Sequence, residues 1–187
     1  TISRKQHDFA KARIKKAGLS HLVDVQLKDY RDLTVQADFI VSIEMLEAVG
    51  EDYWPEYFQT VSQCLRRGGA AMIQVITVPD DEFAAYRKTV DFIQRYIFPG
   101  GMLLCPDQMA QLSKCAGLHL DEGFMFGPDY AQTLEEWQAE FQRNWPTIKP
   151  LGFDERFKRM WEYYLDYTSA GFRSGATNVG QFFMRKP

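Results

Sequence analysis

Polar side chains follow several apolar segments of this sequence, at the points where predicted strands end. They lie in four segments: Asp29-Tyr30, Ile43 to Gly50, Gln74 to Thr77, and Gly127 to Tyr130. In open α/β sheets, ligands bind beyond the carboxyl ends of the strands. A single polar residue at such a point is usually a cap or a turn residue. Four groups at the same edge of a sheet instead predict one crevice that carries chemistry.

Two acidic residues and one amide are the strongest candidates in these segments. Glu44 and Glu47 are three residues apart, so on a helical turn both carboxylates point the same way. Two like charges at this separation raise the pKa of one acid, which is common in functional sites. A helix N-terminal cap is an equally good interpretation of Glu44. Gln74 lies in an otherwise apolar segment, where a buried amide needs hydrogen-bond partners from a ligand or from neighbouring backbone.

The remaining candidates are an acid beside a ring and a large set of aromatic residues. Asp29 is a possible acceptor for an adenine amino group with Tyr30 against the ring; the alternative is a loop acid beside a half-buried aromatic. Aromatic residues crowd the second half of the chain, and most are expected to be core. A ring-lined pocket would, however, suit a long acyl chain and stabilise a cationic centre. We find no metal-ligand spacing and no Ser/His/Asp or Cys/His arrangement, so no metal is expected.

Composition limits the class of protein. The chain has 187 residues, 45% hydrophobic and 14% aromatic, which predicts one folded domain over residues 1–187. The net charge of −3 argues against nucleic acid as a partner. Three dispersed cysteines fit a reducing cytoplasm better than a disulfide framework. No segment has the run of about 20 apolar residues that a membrane span needs.

Hydrophobic periodicity predicts strands that alternate with helices. Helices are expected at residues 6–17, 53–67, 81–97, 106–116, 130–145 and 153–172, and strands at 23–27, 38–43, 70–77, 118–125 and 178–185. Several of these strands are almost wholly apolar, as are strands buried on both faces. The pattern therefore predicts an α/β fold with a parallel sheet and helices on both faces.

Several of these segments resemble the cyclopropane fatty acid and mycolic acid cyclopropane synthases. Ser42 to Gly50 is similar to their SxxMxExVG segment, and Phe92 to Gly101 resembles their long FIxxYIFPGG signature. Asp129-Tyr130, Thr133-Leu134 and Trp137 fit a DYxxTLxxW pattern. The resemblance runs in order from Thr1 to Arg185, so it covers almost the whole chain.

The resemblance implies a Rossmann-like class I methyltransferase sheet and S-adenosylmethionine as cofactor. It further implies transfer of a methyl(ene) group to the double bond of an unsaturated phospholipid acyl chain, on the cytoplasmic face of a membrane, and is compatible with an oligomer. A bicarbonate ion would remove a proton from the resulting carbocation. The matching positions are Glu47, Gln74, Ile76 and Tyr130 for the bicarbonate site; Thr1, Ile2, Gln6, Asp29, Tyr30 and Ile43 for the cofactor; and Phe98, Tyr164 and Thr168 for the acyl pocket.

The sequence departs from the family pattern in two ways. Ring-forming members carry histidine where this chain has Gln74 and Ala48, and an amide cannot relay a proton as histidine does. The first strand and the glycine-rich cofactor loop of such folds do not occur in this sequence. We therefore expect the carboxy-terminal part of a longer catalytic domain, inactive alone and with exposed strand edges.

Three alternatives remain open from the sequence. The first is an acyl-chain methyltransferase that leaves a methyl or methylene branch without ring closure, as relatives that lack the histidine do. The second is a catalytically inactive lipid-binding fragment that keeps the aromatic pocket. The third is a small-molecule methyltransferase of the same fold, against which the FIxxYIFPGG resemblance argues.

Overall fold

The computed structural model describes residues 1–121 and 123–187 and centres on a five-stranded sheet. The strands are β1 (Ala37–Ile43), β2 (Leu65–Thr77), β3 (His119–Leu120), β4 (Phe124–Met125) and β5 (Asn178–Arg185). Their order is β1-β2-β5-β3, with β4 also paired to β5.

The sheet is mixed, so the prediction of a wholly parallel sheet is wrong. β1 and β2 are parallel, whereas β5 runs antiparallel to β2, with Asn178 opposite Thr77 and Arg185 opposite Ala70. The preceding helix delivers the chain to the carboxyl end of β2, and Gly175, at φ +78°, makes the turn into β5. β5 must therefore run back along β2.

Six helices surround the sheet in the described ranges. They are α1 (Arg4–Lys16), α2 (Trp54–Cys64), α3 (Asp80–Tyr86), α4 (Pro106–Cys115), α5 (Gly127–Ile148) and α6 (Glu155–Ser174). The Asp154 carboxylate caps α6 by accepting a bond from the Phe157 N–H. Among the described residues, no helix combines the length and apolar content needed to cross a bilayer.

Two apolar clusters pack the helices against the sheet. One includes Trp54 and Phe58 of α2, Met109 of α4 and Ile73 of β2. The other joins α5, α6 and β5 and is formed by Ala131, Leu134, Phe141, Trp145, Leu165, Phe172 and Val179. Successive residues of a strand face opposite sides of a sheet, so the sheet carries helices on both faces. The predicted α/β class is confirmed.

Four predicted elements differ in the structure. The helix predicted at 53–67 ends at Cys64, and residues 65–67 belong to β2. Residues 23–27 form no strand; Val23 N–H donates to Leu19 O at 3.0 Å, and Gln26 O accepts from Thr1 N at 3.2 Å. The helix predicted at 81–97 is divided into α3 and a π-helical turn, Ile93–Ile97. The Asp91 N–H donates to Gln94 Oε1, and the Gln94 N–H donates to Asp91 Oδ1. These two bonds form a capping box, so the π-helical turn begins separately from α3. The strand predicted at 118–125 is two short strands, and residue 122 lies outside the described ranges.

A hydrogen bond between two hydroxyl groups joins α2 to β1 just before the polar segment from Ile43 to Gly50. Tyr57, which is 1% exposed, donates its hydroxyl hydrogen to Ser42 Oγ at 2.7 Å. Ser42 is two residues before Glu44, so this contact helps fix the end of β1.

We expect Tyr57→Phe to lower the free energy of unfolding by about 1–2 kcal/mol, because it leaves a partly buried hydroxyl unpaired. Urea denaturation measures the change. Tyr53→Phe, at a half-exposed ring, is the matched control and should shift stability by less than about 0.5 kcal/mol. Equal effects of the two substitutions would contradict this role for Tyr57.

Candidate active site

Glu44 lies at the centre of a hydrogen-bond network at the carboxyl end of β1. Its backbone has φ +52°, the only positive φ of a non-glycine residue in the described ranges, and its N–H donates to Gln74 O at 2.9 Å. Its carboxylate accepts the Tyr130 hydroxyl at 2.7 and 2.9 Å and Gln74 Nε2 at 2.8 Å. A strained backbone held by several bonds is typical of functional sites. Glu44 is therefore not a helix N-terminal cap, which was the other interpretation of this residue from the sequence.

The Gln74 amide is held from both sides. Its Nε2 donates to Glu44, and its Oε1 accepts from Gln181 Nε2 of β5 at 3.0 Å. The buried amide predicted from the sequence therefore finds side-chain partners rather than backbone.

Glu47 lies close to Glu44 in a different environment. It is part of a 3-10 turn, Leu46–Ala48, and its Oε1 accepts the Ile76 N–H at 2.8 Å. Its Oε2 is buried, with no hydrogen-bond partner among the described residues. Burial raises the pKa of Glu47 to about 7, against the opposing effect of the Ile76 bond, and the charge of Glu44 adds to the rise. The predicted effect of the neighbouring acid is present but is smaller than that of burial.

Tyr130 enters the network from the first turn of α5. Its ring packs on Phe172 of α6, with centroids 5.0 Å apart. Burial raises the pKa of the phenol, and the bond to Glu44 raises it further, so the hydroxyl stays protonated and donates. Gln74 and Tyr130 thus converge on Glu44, whereas we predicted that they would converge with Glu47.

A cavity of about 1040 Å³ opens in front of the two acids. Glu44, Glu47 and Ile76 line it, as do the predicted acyl-pocket residues Phe98, Tyr164 and Thr168. The volume is at the upper end of the usual range for small-molecule sites. The Phe98 and Tyr164 rings meet edge to face at 6.2 Å. Such a wall suits a long apolar ligand.

The turn formed by Phe98, Pro99, Gly100 and Gly101 lies on one side of this cavity, and Gly100 and Gln94 fix its shape. Gly100 has φ +83°, a conformation that favours glycine. Gln94 Nε2 donates to Gly101 O at 3.1 Å, and Met102 N–H donates to Glu47 O at 2.9 Å. These bonds fix the turn to the backbone of Glu47.

A second cavity, of about 650 Å³, contains most of the predicted cofactor residues. Thr1, Ile2, Asp29 and Tyr30 line it, and Ala48 lines both cavities. Arg31 donates to both oxygens of Asp29, at 3.0 and 2.8 Å, and these bonds lower the pKa of that carboxyl to about 2. An ionised acceptor beside an aromatic ring is compatible with an adenine ligand.

Two predicted cofactor residues lie outside the lining of this cavity. Gln6 accepts the Thr1 hydroxyl at 2.6 Å and so contacts the cavity through Thr1. Ile43 is 62% exposed on β1. The sequence did not single out Gln181, although it has the same pattern as Gln74, a polar amide in an otherwise apolar strand.

Comparison with known proteins identifies the family. The sequence model described as mycolic acid cyclopropane synthetase matches residues 1–182. The chain belongs to this family. It is 43% identical over 183 residues to the tuberculostearic acid methyltransferase UfaA1 of Mycobacterium tuberculosis, covering 97% of the chain and 43% of that protein. It is 37% identical over 175 residues to the cyclopropane-fatty-acyl-phospholipid synthase of Escherichia coli K12, covering 93% and 43%.

Solved structures of the family share the fold. Mycolic acid cyclopropane synthase CmaA1, crystallised with SAH and CTAB, superposes with a TM-score of 0.86 at 26% identity, over 100% of this chain and 68% of that one. Cyclopropane synthase MmaA2 of M. tuberculosis gives 0.83 at 24%, over 100% and 68%. The chain spans slightly less than half the length of the two relatives named above.

The raised pKa of Glu47 predicts a pH dependence of stability. The native acid holds its proton up to a pH near 7, whereas the unfolded acid loses it near the ordinary value of 4.5. The stabilising contribution is thus complete below pH 4.5 and is lost as pH rises through 7. We expect the free energy of unfolding to fall by about 2–3 kcal/mol across this window from this group.

Urea denaturation at several pH values, on the wild type and Glu47→Gln, measures this dependence. The substitution should flatten the profile, and Glu136→Gln, at an exposed glutamate of α5, should leave it unchanged. A Glu47→Gln profile that falls as steeply as the wild type would show that Glu47 is ionised throughout.

Proposed function

We propose that the protein of which this chain is part transfers a methyl(ene) group from S-adenosylmethionine to the double bond of an unsaturated phospholipid acyl chain. The main support is the large cavity lined by aromatic side chains and two acids, which shares the lining residue Ala48 with a second cavity. Family membership and the relatives named for acyl-lipid methylation support the same reaction. The residues present fit the cofactor at its adenosine end, through Asp29 and Tyr30.

In this proposal the two cavities hold the two reactants. Bound S-adenosylmethionine supplies an electrophilic methyl group. Thr1, Ile2, Asp29 and Tyr30 contact the cofactor, with Gln6 supporting Thr1 and Ile43 flanking the site. Phe98, Tyr164 and Thr168 hold the acyl chain. The small Ala48 side chain, which lines both cavities, allows the reactants to approach each other.

The aromatic and acidic groups then stabilise the cation left on the acyl chain. A ring face attracts a cation, and a fixed carboxylate in a site with little water stabilises developing positive charge. Glu44 is the stronger candidate for accepting the proton that the cation loses. Its oxygens are fixed by Tyr130 and Gln74, whereas burial favours the protonated form of Glu47.

The bicarbonate ion implied by the family resemblance does not fit these residues. Its donors would be Gln74, Tyr130 and the Ile76 N–H; the first two already donate to the Glu44 carboxylate and the third to Glu47. A further anion would also face Glu47, across a site that has no cationic side chain in its described lining. In the proposed reaction the carboxylate of this chain takes the proton instead.

The same contacts are compatible with a second product. Loss of the proton gives either a cyclopropane or a methyl-branched alkene, and both add one CH2 to the acyl chain. The base in this chain is a fixed side chain rather than a mobile ion, and the 43% identical relative is named as a methyltransferase for tuberculostearic acid. These observations support branching without ring closure as the alternative.

We expect Glu44→Gln to slow CH2 addition by at least about 100-fold, the usual minimum contribution of a positioned base. The measurement is mass spectrometry of lipids from bacteria that express the intact protein, with double-bond-specific cleavage to separate ring from branched alkene. Glu136→Gln is the matched control and should retain wild-type activity.

The outcomes separate three interpretations. Full activity of Glu44→Gln would remove Glu44 from the reaction. A wild-type protein that binds mono-unsaturated phospholipid but methylates no acyl chain would favour the lipid-binding module. A branched product from the wild type would select the alternative over ring formation.

We further propose that the protein takes its substrate from the cytoplasmic surface of a membrane. Exposed apolar and aromatic residues form a rim at the acyl cavity: Phe98 and Tyr167 line it, and Val90, Tyr96 and Tyr163 are next in sequence to lining residues. Phe92 joins them through contacts with Tyr96 at 5.4 Å and Tyr163 at 4.6 Å. Lys88 and Arg95 flank this rim and make no ion pair within the described ranges. Tyrosines and basic side chains are favoured at lipid headgroups.

We expect Val90→Asp to weaken binding of the intact protein to phosphatidylglycerol–phosphatidylethanolamine vesicles by about tenfold, the value of burying one valine. Vesicle co-sedimentation measures it. Leu151→Asp is the control, because Leu151 is as exposed as Val90, at 74%, and belongs to neither cavity lining. Equal loss in both variants, or none in Val90→Asp, would contradict docking through this rim.

A further inference from the structure

We propose that Gln181 is a positioning residue of the active site: it fixes the Gln74 amide and, through that amide, the Glu44 carboxylate. The inference rests on the proposed function, in which Glu44 accepts a proton from the acyl chain. Gln181 belongs to neither cavity lining, so its influence must pass through other residues.

The register of the sheet brings the two amides together. Gln181 of β5 is directly opposite Gln74 of β2, and its Nε2 donates to Gln74 Oε1 at 3.0 Å. An amide oxygen only accepts and an amide nitrogen only donates. The contact therefore turns Gln74 Oε1 towards β5 and leaves Nε2 facing Glu44, at 2.8 Å. A Gln74 amide rotated by half a turn would place its oxygen against the carboxylate.

The arrangement is a chain of four groups that hold one another. Gln181 of β5 donates to Gln74 of β2, and Gln74 donates to Glu44. Tyr130 of α5 also donates to Glu44. Such chains strengthen each bond and fix a single geometry. Packing alone would be served by an apolar residue at position 181, since Val179, two residues away on the same face of β5, is buried. The glutamine is explained by the orientation that it imposes on Gln74.

Gln181→Glu tests this orientation because it keeps the size of the side chain and changes its chemistry. An ionised carboxylate only accepts, so it competes with Glu44 for Gln74 Nε2 and favours the rotated amide. We expect CH2 addition to fall by about tenfold near neutral pH, the effect of one lost bond to a charged group. As pH is lowered, the introduced carboxyl group gains a proton, donates to Gln74 Oε1 and restores the rate relative to the wild type.

Other titrating groups near the network must be separated from this effect. Glu44 and Glu47 lie after β1, Tyr130 faces Glu44 from α5, and the charge of Glu44 raises the pKa of Tyr164 on α6, where burial is the larger cause. All four are present in both proteins, so the ratio of variant to wild-type rate at each pH isolates the introduced group.

Two further variants distinguish orientation from structure. Gln181→Leu removes the donor but leaves Gln74 Nε2 free for Glu44, so its loss should be smaller and its ratio to the wild type independent of pH. Gln111→Glu places a carboxyl group at an exposed amide of α4, where the side-chain oxygen already accepts from Gln108 Nε2 and which lies outside both cavity linings, and should keep wild-type activity. Equal, pH-independent losses in Gln181→Glu and Gln181→Leu would overturn the inference.

Nitrogen-15 NMR of the Gln74 side-chain amide in the intact protein gives a readout that does not need turnover. The signals of its Nε2 hydrogens should move in Gln181→Glu near neutral pH, where the amide turns away from Glu44, and return towards the wild-type positions as pH is lowered; in Gln181→Leu they should not depend on pH in this way. If the wild type makes no product but these signals behave as expected, the proposed function fails and the positioning by Gln181 stands. If the wild type is active and the signals do not move, the inference is wrong.

Discussion

The carboxylate of Glu44 is the interaction on which the site depends. A half-buried negative charge at the end of β1 needs donors, and they come from elements distant in the sequence: Gln74 of β2 is 30 residues away and Tyr130 of α5 is 86. The backbone at φ +52° costs of order 1–3 kcal/mol. That strain is offset by the two side-chain donors and by the Glu44 N–H bond to Gln74 O. The Glu44 N–H bond to Gln74 O also continues the pairing of β1 with β2 beyond Ile43.

Glu44 and Glu47 are equivalent candidates in the sequence, but their hydrogen-bond partners in the fold differ. Glu44 has two side-chain donors, whereas Glu47 has one backbone donor and a buried oxygen without a partner in the described ranges. Burial with few donors favours the neutral form, and charged donors or several neutral ones favour the ion. Near neutral pH the site can thus hold one full negative charge beside a second acid that titrates. A pocket for a transient cation benefits from that fixed charge without the repulsion of two.

The sequence predicted the fold class well because the signals for it are local. The apolar runs of β1 and β2, the period of α5 and α6, and the glycines that end helices all reflect short-range chemistry. The antiparallel direction of β5 has no local signal; it follows from where α6 ends. The partner of Gln74 was also beyond local reasoning, because Gln181 lies 107 residues away and meets it only through the register of β2 with β5. The choice between Glu44 and Glu47 as the bonded acid depends on a backbone angle that residue type does not predict, since a glutamate at positive φ is uncommon.

Ala48 is the second position, besides Gln74, at which this chain differs from the expected family pattern. It lines both cavities, one residue after Glu47. A methyl side chain takes little space there, whereas a histidine would add volume and a proton-relaying group. The two departures from the family pattern expected from the sequence, Ala48 and Gln74, therefore lie close to the same acids: one keeps the side chain beside both cavities small and the other provides a fixed donor to Glu44. A single Ala48→His substitution would keep the Gln74 donor to Glu44, and a single Gln74→His substitution would keep the small side chain at Ala48. In the proposed reaction, the two positions together determine how the acyl cation loses its proton.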